Sequence, residues 1–62
     1  MFNAIAHELS QIGFKTQVTS AGVLVSLNRA LDRIEVEHAL DQIFDEIQFS
    51  IERVNKNSYL VR

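Results

Sequence analysis

The chain has 62 residues, 47% of them hydrophobic, with a formal net charge of -2 and no cysteine. That length allows one domain, residues 1–62, able to bury only about 60% of the surface its unfolded chain exposes; the missing thiols exclude a disulfide framework and a thiolate metal site. The slight acidic excess argues against a chain devoted to wrapping phosphate backbone, and with His7 and Glu8 interrupting the early apolar residues neither a signal peptide nor a membrane span fits, so a cytoplasmic protein is expected.

Phe2, Ile5, Leu9 and Ile12 recur at the spacing of one helical stripe, which predicts a first helix over Phe2 to Ile12. Asn3 is placed to act as its N-cap, and Gly13 stands where a left-handed residue ends a helix, with Phe14 folding back onto the last turn. From Phe14 the period changes to two. Phe14, Thr16 and Val18 alternate with Lys15, Gln17 and Thr19, a strand with one wet face. Ser20-Ala21-Gly22 supplies a turn, and Val23 to Leu27 a second strand whose Val23, Val25 and Leu27 face the helices. Asn28 to Leu31 is a connector with Arg29 exposed.

Arg33 to Ile47 is the strongest amphipathic stretch, with Val36, Ala39, Leu40, Ile43, Phe44 and Ile47 in one stripe and Glu37, His38, Asp41 and Asp45 on the opposite face. Asp32 and Glu35 have capping-box spacing at its start, and Ile34 lies off the stripe. Ile47, Phe49 and Ile51 then alternate against Gln48, Ser50 and Glu52, predicting a third strand to about Val54. Asn55-Lys56-Asn57 forms the next turn and Ser58 to Arg62 the fourth strand, whose deletion is expected to unfold the domain rather than trim it.

The order is α-β-β-α-β-β, an α+β domain with a four-stranded antiparallel sheet and two helices on one face. His7, Leu9, Gln11 and Ile12 recur as His38, Leu40, Gln42 and Ile43 at an offset of half the chain, which points to a pseudo-twofold internal repeat.

Chemistry has little support in these residues. His38, Asp41 and Asp45 share a helix face at spacings a metal ion would need, yet such acidic faces are ordinarily just solvated, and no metal or cofactor is assigned. The serines lack a nucleophile-elbow context and the glycines a phosphate cradle, so no catalytic residue is named and an enzyme is not expected. Nucleic-acid binding is the alternative function. Lys15, Gln17, Thr19, Ser26, Gln48 and Ser50 would populate the open sheet face, Arg29, Arg33, Arg53, Lys56 and Arg62 cluster near connectors, and Tyr59 is the one aromatic left outside the core stripes for stacking. The favoured reading is a non-enzymatic protein–protein interaction domain of accessory or inhibitor type. It would form a homo-oligomer or bind a protein partner of unknown identity. Exposed strand edges carry that reading, with Ile34 and Leu24 outside the core and the acidic face of Glu35, Glu37, His38, Asp41, Asp45 and Glu46. A core this small rarely supplies more than about 3–5 kcal/mol, which makes a second copy useful.

Overall fold

Leu9 fixes how the chain leaves its first helix. In the computed structural model, which describes residues 1–62, α1 spans Phe2–Gln11, and the Leu9 carbonyl accepts from the Phe14 N–H at 3.2 Å while the Ser10 carbonyl accepts from Gly13 at 3.2 Å. With Gly13 at φ 108 this is a Schellman ending, as the Gly13-Phe14 pair predicts. The start differs from expectation. Met1, not Asn3, is the N-cap, and its carbonyl takes the first helical bond from Ile5 at 3.1 Å. Phe2 packs against the core, and keeping it on the α1 stripe forces Asn3 into the helix.

Strands β1 (Lys15–Thr19) and β2 (Gly22–Ser26) form an antiparallel hairpin. Its turn is tied by Thr19, whose Oγ1 accepts from the Ala21 and Gly22 N–H groups, both at 3.1 Å, and donates to the Gly22 carbonyl at 2.9 Å. Helix α2 (Arg33–Ile43) follows, then β3 (Ile51–Asn55) and β4 (Ser58–Val61), giving one antiparallel sheet in the order β1-β2-β4-β3. The α-β-β-α-β-β order is as read from the sequence.

The core lies between the helices and one face of this sheet. Ile5 and Leu9 from α1 and Val36 and Leu40 from α2 close over Val23, Val25, Tyr59 and Val61, with Leu31 from the connector. α1 packs on β1 and β2, α2 on α1 and β3. The connector is pinned to the second hairpin: Leu27 N–H bonds Asn57 O at 3.1 Å and Leu31 N–H bonds Lys56 O at 2.8 Å, while the Asn57 side-chain amide donates to Leu27 O at 3.3 Å. The two hairpins meet through their second strands, with Leu24 directly opposite Leu60. The order β1-β2-β4-β3 therefore sets the hairpins side by side, with β1 and β3 as the edge strands.

Three further expectations need correction. Helix α2 stops at Ile43, with Phe44 as C-cap at φ -120 and ψ 77, so Asp45, Glu46 and Ile47 are not helical, and Ile47 is exposed instead of lying in the stripe. The cause is aromatic: the Phe44 and Phe49 rings meet edge to face at 5.6 Å and 68°, and both pack against the core, which requires the chain to reverse between them. The third strand accordingly begins at Ile51, extended by Ser50 and Arg62, which exchange backbone bonds of 2.8 and 3.0 Å. Finally Tyr59 is 4% exposed and part of the core, because its register places it opposite the buried Val25; no aromatic side chain lies on the open face of the sheet.

Candidate interaction surface

The sheet has two edges, and they are finished differently. Ser50 and Arg62 exchange both backbone bonds, so they are a hydrogen-bonded pair; alternation along an antiparallel ladder then turns the N–H and C=O of the next residue, Ile51, away from β4. Carried across the regular registers of β4, β2 and β1, the same alternation leaves Thr16 and Val18 as the β1 residues whose backbone groups point out of the sheet.

Strand β3 is guarded. Its register shifts between Arg53 and Asn55, a bulge at Val54, and Glu52 and Arg53 are exposed charges. Arg33 reaches from α2 to donate Nη1–H to the outward Ile51 carbonyl at 2.9 Å, held there by Glu37 at 2.9 Å, and Arg53 Nε–H donates to the Asn55 carbonyl at 3.3 Å. Bulges, charges and covered carbonyls are the usual means of blunting an edge. Strand β1 has no bulge and no covered carbonyl. It runs five residues in unbroken register, Lys15 is its single charge, and beyond the β2 ladder none of its backbone groups has a partner in the molecule. Val18, on the helix side of this edge, is 44% exposed.

The residues singled out from sequence do not form one surface. Ile34 is 73% exposed in the first turn of α2. His38 and Asp41 are exposed on that helix, Asp45 lies past its end, and Glu37 is engaged by Arg33. Leu24 is half-buried on the opposite side of the molecule, on the sheet face turned away from both helices. With Asp45 off the helix, the proposed outer face of His38, Asp41 and Asp45 is not assembled, and no group of three or more His, Asp or Glu side chains is placed to hold an ion. A shallow cleft of about 250 Å³ runs between α2 and the start of β3, with Glu37 and Asp41 on one wall and Leu40, Phe49 and Ile51 beneath. It is open to solvent and carries no buried polar group aimed into it.

The cations are largely engaged as well. Arg29 pairs with Glu35 at 2.7 Å, Arg33 with Glu37 at 2.9 Å and Arg62 with Glu52 at 3.5 Å. Lys15 and Lys56 lie towards one end of the strands and Arg62 at the other. Glu35 is the most perturbed carboxylate. The fork of the Arg29 guanidinium and then the Asp32 N–H hold it down to about 2, and the same pairing raises the Arg29 pKa. This cluster closes the start of α2 as the expected capping box.

No family model, curated protein or solved structure matches the chain. No helix is long and apolar enough to cross a membrane. Thr16 and Val18 are not legible as an edge in the sequence, since nothing local in Lys15–Thr19 says that this strand lies outermost.

Proposed function

We propose that the protein is a non-enzymatic, cytoplasmic interaction domain that works by accepting an extended backbone along β1. The observation that supports this is the contrast between the edges: β3 is bulged, charged and covered by Arg33, whereas Thr16 and Val18 present free N–H and C=O groups from a regular strand. Main-chain pairing supplies affinity in this mode, and side-chain pockets flanking the strand supply selectivity.

An array of extended peptides probed with the wild type and with Val18→Pro tests it. Proline removes the outward N–H of Val18 and leaves the bonds between β1 and β2 in place. Peptides held by the wild type and lost by the variant are expected; an array on which no peptide distinguishes the two would remove strand addition as the function. Nothing in the geometry favours nucleic acid over this reading, with Tyr59 inside the core and three arginines paired to carboxylates.

A further inference from the structure

We infer that the chain seated on the β1 edge is the β1 edge of a second copy, joined antiparallel about a twofold axis through Gln17; this rests on β1 being the working edge. The register follows from which groups are free. An antiparallel pair bonds only where two outward-facing residues stand opposite, and within β1 these are Thr16 and Val18. Setting Gln17 opposite Gln17 brings Thr16 of each copy against Val18 of the other, so both outward residues of each strand are paired.

Neighbouring registers do less. Centring the axis on Thr16 would call on Phe14, whose N–H is already committed to the Leu9 carbonyl at 3.2 Å. Centring it on Val18 would call on Ser20, which lies in the turn.

Charge and shape agree with the Gln17 register. Lys15 falls opposite Thr19 of the second copy, so the two lysines sit at opposite ends of the seam and no like charges meet. The exposed Val18 side chain gains the Thr16 methyl group as a neighbour on the helix side, and the two Gln17 side chains, exposed on the open face, can exchange amide hydrogen bonds across the axis. The product is one continuous sheet in which the unguarded edges disappear and only the two blunted β3 edges remain outermost. It also adds buried surface to a molecule whose own core has 12 residues.

Sedimentation velocity on the whole chain, over a concentration series reaching about 1 mM, tests this with Gln17→Glu and Gln17→Lys. Both substitutions are at an exposed position and leave the monomer's ladder intact. The wild type is expected to dimerise. Each variant alone should show at least about a tenfold rise in dissociation constant, since two like charges then face each other on the axis, and an equimolar mixture of the two should re-associate. A wild type that stays monomeric, or a dimer indifferent to both variants, overturns the inference. Amide exchange separates that failure from failure of the broader reading. In a monomer, rapid exchange of the Thr16 and Val18 N–H groups leaves the edge open to a different chain, whereas protection there removes the edge itself as a site.

Discussion

Gly22 opens β2 with its backbone against the end of β4. It is buried, at φ 149, and a Cβ there would collide with the Val61 carbonyl and lie 3.0 Å from Arg62 Cβ. Gly22→Ala therefore combines an unfavourable backbone with a clash that only sheet movement relieves, and a loss on the order of 2–4 kcal/mol is expected from urea unfolding. Gly13→Ala is the control. Gly13 also has positive φ, but nothing lies within 4 Å of the added methyl, so it should cost only about 1 kcal/mol. Glu35 sets an acid response at the same scale. Its folded pKa is depressed, so the stability it contributes is complete above the ordinary 4.5 and is lost as pH falls towards about 2. Glu35→Gln should flatten that part of the stability profile, followed as Tm against pH, and titration of the Glu35 carboxyl by NMR should give a midpoint near the bottom of the window.

Helix α2 is well closed at one end and strained at the other. Asp32, extended at φ -92 and ψ 147, caps it with Glu35, and Asp32→Ala should cost about 1 kcal/mol. Past the far end Glu46 is held at φ 66, a left-handed conformation that disfavours any residue with a Cβ. Glu46→Gly should raise the urea midpoint, worth about 1 kcal/mol, by removing that penalty. The first end was legible because capping needs only residues three apart in sequence. The second was not. The apolar spacing runs on through Phe44 to Ile47 as though the helix continued, and it is the meeting of Phe44 with Phe49 that turns the chain. The place of Arg33, one of the cations near connectors, at the β3 edge is hidden for a similar reason: its partners Glu37 and Ile51 O are one near and one distant along the chain.

At the scale of the whole molecule, a core of 12 buried residues predicts shallow stability that rests on few side chains. Leu31 lies in the connector between β2 and α2 yet is fully buried, and Leu31→Ala should remove about 2–5 kcal/mol. Against the roughly 3–5 kcal/mol available to a core this small, most of the population should unfold, which far-UV circular dichroism would register as lost cooperativity. Deleting Ser58–Arg62 is more severe, since β4 is bonded on both sides, to β2 and to β3. The truncated chain should show no dispersed NMR spectrum at any temperature.

What the residues determined without help was local: two amphipathic helices, four strands, the Gly13 ending, the Asp32–Glu35 cap and the order in which they come. Periodicity and capping are written within a few neighbouring positions, so a linear reading reaches them. Which strands lie outermost, which way Tyr59 points and whether an edge carbonyl is covered all depend on pairings between distant segments. Shifting a strand's register by one residue exchanges its faces, and only the folded sheet selects among those alternatives. The candidate site belongs to that second kind of property, because Thr16 and Val18 become a free edge only once β2 has taken β4 as its other neighbour.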